Sequence, residues 1–209
     1  MFTWIQMFGI VLLSSAPKYS TVSARVGQNR TSCEEFEQSA RFNPYLVIDS
    51  MWKIFYFWAN NTEIYPIVFT LPAKNKLEKF RNVVEAIYPE LEVDWHKATL
   101  FMQPRPGTEV LMLHASTPGA FRALVKQEQL KKVRPHPEPL LKFADVRMKL
   151  VDRYMGMMCC EDLTAYALAR LDDVPTTEQE CQLAAAKINF KGHNGRSYLY
   201  LKDKYADEL

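Results

Sequence analysis

Cys33, Cys159, Cys160 and Cys181 are the residues of this 209-residue chain whose spacing says most about chemistry. The neighbours Cys159 and Cys160 cannot easily supply two ligands to one tetrahedral metal, and there is no Cys-x-x-Cys, so the pattern is wrong for a zinc site. An even number of cysteines in a compartment that permits oxidation leads instead to an expectation of two disulfides. On a strand, consecutive side chains point to opposite faces, so Cys159 and Cys160 would reach different partners. Cys33 could then tie the amino-terminal segment to one and Cys181 the carboxy-terminal segment to the other. Four cysteines allow three pairings, and a vicinal 159–160 bridge is among them.

Other reactive groups form no constellation. His96, His114, His136 and His193 are widely separated, and none stands at paired helical spacing with another. No serine has the flanking glycines of a nucleophile elbow, and the 7 glycines build no phosphate-binding loop. Asp172 and Asp173 sit in a turn leading to a helix, where carboxylates favour the helix amino end. No catalytic residue, metal or cofactor is therefore expected. With 26 Lys and Arg against 24 Asp and Glu, the charge balance gives no reason to expect nucleic acid. The remaining chemistry is apolar. Tyr56, Trp95, Phe101, Met112, Phe121, Met157 and Tyr166 could line a cavity, aromatics supplying contact area and methionine adapting to irregular shapes, as suits a lipid, pigment or terpenoid-like molecule.

Such residues must be positioned by elements, and most of the elements read as strands. Met51 to Trp58 is a run of aromatic and β-branched residues that favours a strand. Ile64 to Leu71 is a second, kept short or at an edge by Pro66 and Pro72. Val93 to Met102, Glu109 to His114, Ala120 to Gln127, Tyr154 to Cys160 and Leu163 to Leu171 read as further short strands, with Phe143 to Leu150 ambiguous. Strands at about ten-residue spacing suggest a barrel or sandwich. Leu77, Phe80, Val84 and Ile87 recur at helical spacing over 73–88. Thr177 and Glu180 make a capping-box arrangement for a second helix, with Leu183, Ala184 and Ile188 as its buried stripe. Residues 25–50 begin polar and become extended, and 192–209 are polar and expected to pack poorly. The proline-rich stretch Arg134 to Pro139 reads as a loop.

The two ends carry addressing information. An apolar run from Trp4 to Leu13 leads into small residues ending Val22-Ser23-Ala24, too short to span a bilayer, which needs about 20 residues. Residues 1–24 are read as a cleaved secretory signal, the alternatives being a retained anchor or a soluble apolar end. Lys18 is their only charged residue, so removal leaves one cation in excess and 185 residues, enough for one domain with a substantial core. Asn29-Arg30-Thr31 and Asn60-Asn61-Thr62 are glycosylation acceptors on a eukaryotic secretory route. Ala206-Asp207-Glu208-Leu209 is similar to the retrieval signal of the endoplasmic reticulum, with alanine in the place of its leading cation. The organisation expected is a signal over 1–24, a polar segment over 25–41, a folded domain over 42–190 and a tail over 191–209. Secretion is the leading destination, and the lumen of the endoplasmic reticulum is the alternative.

Several of these elements together resemble the lipocalin family. Asp49-Ser50-Met51-Trp52-Lys53 looks like that family's Gly-x-Trp opening, with Ser50 in the glycine place. Val151-Asp152-Arg153-Tyr154 is loosely similar to its Thr-Asp-Tyr turn, with Arg153 inserted. Ala167-Leu168-Ala169-Arg170, followed by Pro175 and a helix, resembles its closing strand and flanking helix. The resemblance covers about 42–190 and departs from the family at the helix over 73–88. It implies a mainly β fold, an antiparallel up-and-down β-barrel with a flanking helix, in which Trp52 packs at the closed end under Arg170. It also implies a carrier of a small hydrophobic ligand, without stable membrane insertion. The alternative fold is a secreted, disulfide-linked α+β domain. The alternative functions are a resident of the endoplasmic reticulum that binds maturing proteins, and an enzyme built in the same cavity.

Overall fold

A computed structural model of the chain describes residues 30–38, 40–60, 64–127, 140–192 and 194–201. Eight strands run in antiparallel pairs: β1 (Met51–Trp58), β2 (Ile67–Thr70), β3 (Ala98–Arg105), β4 (Thr108–His114), β5 (Ala120–Gln127), β6 (Leu140–Val151), β7 (Tyr154–Cys159) and β8 (Thr164–Arg170). Each strand from β2 to β7 pairs with its successor, β8 returns to β1, and β1 closes on β2 through Met51 opposite Val68 and Trp52 opposite Ile67. The result is a closed up-and-down barrel, mainly β, with helices beside it. A two-residue strand, β9 (Arg196–Ser197), continues the free edge of β1 above the short β2.

Period-2 alternation divides the barrel into an inside and an outside. The inner cluster includes Trp52, Ile54, Phe57, Phe69, Met102, Met112, Phe121, Met148, Met155, Met157 and Leu168. Outside, α2 (Lys74–Ile87) lies over Phe101, Leu111, Leu113, Leu124 and Leu141, against which it buries Phe80 and Val84. A second outer cluster joins Phe55, Trp58, Tyr154, Met158 and the β8 alanines to α1 (Cys33–Glu37) and α3 (Glu178–Ala186). Because both faces of β4 and β7 are covered, Val110 to Leu113 and Tyr154 to Met158 are buried without interruption and read as continuous apolar runs. Gly156 is what lets the cover sit close. A Cβ there would lie 2.8 Å from Ile188 Cγ2 and 3.0 Å from Phe36 Cζ.

Helix limits follow local signals. Thr177 accepts from the Glu180 amide while the Glu180 carboxylate accepts from the Thr177 amide, forming the capping box at α3. Its buried stripe is Cys181, Ala184 and Ala185, with Ile188 buried just beyond its end, whereas Leu183 is 64% exposed, a correction to the stripe read from sequence. At 100° per residue Leu183 lies about 200° from Cys181, on the far side of the helix. Within the stretch read as polar and then extended, Cys33–Glu37 is helical, since Ser32 and Glu35 form a second capping box that starts α1. Residues 194–201 of the polar carboxy-terminal stretch also pack: Ser197 and Tyr198 are buried, and Leu201 leans on the inner cluster.

One end of the barrel is closed. The chain crosses it as a 3-10 turn, Pro44–Leu46, with Asn43 capping Tyr45 N–H, and drives Val47 into the core. Trp52 Nε1 donates to the Val47 carbonyl at 2.9 Å. The Arg170 guanidinium stands 5.5 Å from the Trp52 ring and donates to the Leu46 carbonyl at 3.2 Å. This places Trp52 and Arg170 in the pairing the family resemblance implies.

Candidate functional site: the barrel lumen

Inward-facing side chains change character along the barrel axis. At the closed end and mid-height, Val47, Trp52, Ile67, Met148, Met155, Leu168, Met112 and Phe121 are each no more than 2% exposed, a solid floor. Higher up, Val125, Ala144, Cys159, Thr164 and Tyr166 are only half-buried, although the register places each on the inner face: Val125 lies opposite Val110, Ala144 opposite Ala123, Cys159 opposite Val146 and Thr164, and Tyr166 opposite Met157. Solvent therefore reaches these wall residues near the open end, where Ala123 and Ala144 contribute small side chains and β2 is four residues long.

Of the seven side chains proposed from sequence as ligand liners, four face inward: Met112, Phe121, Met157 and Tyr166. Only Tyr166 is half-exposed there. Phe121 lies deep, with Phe42 edge-on at 5.6 Å. The other three are corrected to the outside. Tyr56 counts as inward from Trp52 at period 2, but a bulge between Ile54 and Tyr56 reverses the phase, so that Phe57 points in and Tyr56 joins the cluster under α3. Phe101 lies between inward Leu100 and Met102 and packs beneath α2. Trp95 belongs to a 3-10 turn, Trp95–Lys97, rather than a strand, and its ring meets Arg81 outside the barrel at 5.7 Å. Sequence reading missed Phe57, Val125, Ala144 and Lys142 as inner residues. A phase count along β5 and β6, which have no bulge in their pairing, would have found the last three.

The disulfide expectation is also corrected. Cys33 and Cys160 form one bridge, while Cys159 and Cys181 are free thiols. Cys160 turns outward to α1 and Cys159 turns inward, and Cys181 is buried on the outer side under α3, so the sheet separates the two thiols. Burial, then the nearby Asp162 and Glu161 carboxylates, push the Cys159 thiol up to about 12. At physiological pH that shift favours the neutral thiol over the thiolate. Among the described residues no group of three or more His, Cys, Asp or Glu is placed to hold a metal, and no helix is long and apolar enough to cross a membrane. Asn60 is exposed at the end of β1, while Asn29 and the terminal tetrapeptide lie outside the described residues.

The open end carries the polar groups of the inner face. Arg105 lies opposite Thr108, Thr108 opposite Gln127, and Lys142 opposite Val125. Arg105 Nε donates to Thr108 Oγ1 at 3.2 Å. An apolar cup under a polar rim can hold a small molecule by burial and orient it by one or two hydrogen bonds. Comparison with protein-family models, with curated proteins and with solved structures gives no match for this chain.

Proposed function

We propose that the protein is a non-enzymatic, lipocalin-type carrier that holds one small hydrophobic molecule in the upper half of its barrel. The observation that carries this reading is the half-buried state of Val125, Ala144 and Tyr166 on the inner face, above a floor with almost no exposure. A barrel that existed only to be stable would close over these side chains, since each exposed apolar Å2 forgoes about 25 cal/mol. A secretory setting, with glycosylation at Asn60, agrees with the Cys33–Cys160 bridge, which persists under oxidising conditions.

Native mass spectrometry of the protein from its expressing cells, with solvent extraction of copurified small molecules, is expected to find one apolar molecule per chain. Ala144→Phe fills the cup and should abolish copurification while the circular dichroism of the barrel is retained. An Ala144→Phe protein that still carries the molecule at full occupancy overturns the reading.

A further inference from the structure

The outer wall under α2 is only partly covered by that helix. α2 ends at Ile87, and the chain continues over β4, β5 and β6 as the non-helical stretch 91–94 and the 3-10 turn Trp95–Lys97. A helix lays a broad apolar stripe on a wall, three or four side chains per two turns. This stretch supplies only Leu91 and Val93, both half-buried, while Glu92 and Asp94 are exposed. It bridges the wall without filling the space beneath. A cleft of about 220 Å3 remains, with the buried Leu113 and Leu124 below, Leu91 and Val93 above and Phe143 at its side. Leu113 and Leu124 alternate with inward Met112 and Ala123, so the cleft and the lumen lie on opposite faces of one sheet.

The charged groups around the cleft balance. Glu92 and Asp94 face Lys97 and Arg122 across its exposed edge, where His114 also stands. Asp94 and Lys97 approach to 3.6 Å. The Arg122 guanidinium lies 5.2 Å from the Phe143 ring, and the Tyr88 ring packs on the same phenyl at 5.6 Å.

We infer that this cleft is a second binding site, separate from the lumen, for one uncharged aromatic molecule of one or two fused rings. Size sets the limit, since a dry apolar cavity of about 150 Å3 takes benzene. Two carboxylates and two cations give neither an anion nor a cation a net advantage, whereas apolar burial beside Phe143 favours a ring. The His114 imidazole can accept a hydrogen bond from a ring N–H or hydroxyl at the edge. The site belongs to the helix over 73–88 and its return, the part of the chain that departs from the lipocalin pattern. It is independent of the carrier reading, because the sheet separates the two sites.

Calorimetric titration with indole tests the inference on the full chain. In Ala144→Phe protein, whose lumen is filled, indole should still bind at one per chain. Adding Val93→Phe, which fills the cleft, should weaken that binding at least tenfold. Ala115→Phe, at a half-buried position on the cleft's opposite rim, should do the same and serves as the second variant should Val93→Phe not fold. In nitrogen-proton correlation spectra, indole should move the amides of Leu113, Leu124 and Phe143 in wild-type and Ala144→Phe protein alike. Indole-3-acetate and tryptamine, which add a carboxylate or an ammonium to the same rings, should bind no more tightly than indole. Binding of indole that vanishes in Ala144→Phe protein, or that survives both cleft substitutions, overturns the second site and leaves the carrier reading untouched. A tenfold preference for either charged analogue overturns the uncharged class.

Discussion

Cys159 and Cys160 are adjacent in sequence and lie on opposite sides of a wall. Strand alternation, legible in the sequence, separates them, but their partners were not legible, because the side of the sheet that α3 covers is set by packing. α3 brings Cys181 to the outer face, where only an outward cysteine could meet it, and Cys160 is already bonded to Cys33. The consequence is a thiol count. Unfolded, unreduced protein should label with two maleimides and reduced protein with four. Zero labels before reduction would mean that both pairs are oxidised. In the native protein at pH 7.5, Cys159 should label roughly a thousandfold more slowly than a free cysteine, since its thiol sits near 12. Cys181, buried and pushed up to about 11 by burial and then by Glu178 and Glu180, should be slower than an exposed thiol as well. The misplaced liner Tyr56 has an equally local cause, for one extra residue in β1 turns every later side chain over.

At the scale of elements, the two longer helices were legible because each has its own signal, an apolar recurrence in α2 and a capping box in α3. Where they dock was not. α2 is fastened by the Glu109 cluster, a carboxylate 8% exposed with lysines from α2 and β5 around it. Burial pushes the Glu109 carboxyl up, but hydrogen bonds from Lys126 and Lys76 and the charges of Lys126 and Lys79 overcome it and hold the group at about 2, below its ordinary 4.5. Burial lowers the Lys126 ammonium, its bond to Glu109 opposing that shift. A carboxyl depressed in the folded state stabilises the fold in full above about 4.5 and loses that contribution as pH falls toward 2. Thermal melts of the wild type should therefore drop steeply between those pH values. Glu109→Gln should be flatter across the same window and less stable at pH 7 by about 3 kcal/mol, because Lys126 loses its buried partner. Parallel pH profiles for the two proteins would show that Glu109 does not fasten the helix.

For the whole molecule, the Cys33–Cys160 bridge spans 127 residues and ties the amino-terminal segment to the turn between β7 and β8. Closing so long a loop restricts the unfolded chain, so Cys33→Ser, Cys160→Ser should lose about 2–4 kcal/mol in urea melts while keeping the β-rich circular dichroism. An unchanged midpoint would mean that the bridge contributes nothing to stability. Strand runs such as Met51 to Trp58, Ala120 to Gln127 and Leu163 to Leu171 were legible because turn residues bound them and β-branched and aromatic composition marks them locally; they suggested a barrel or sandwich, and the closed antiparallel barrel was what the family resemblance implied. The sequence by itself determined most of the strands and both longer helices, and the family resemblance singled out the cation that covers Trp52. Only the tertiary structure decided which face of each strand became the lumen, which cysteines met, and where along the barrel the filling stops. Alternation identifies an inside only when the outside is polar. Here α2 and α3 bury the outer face as well, so inner and outer residues are chemically alike and only closure of the barrel tells them apart.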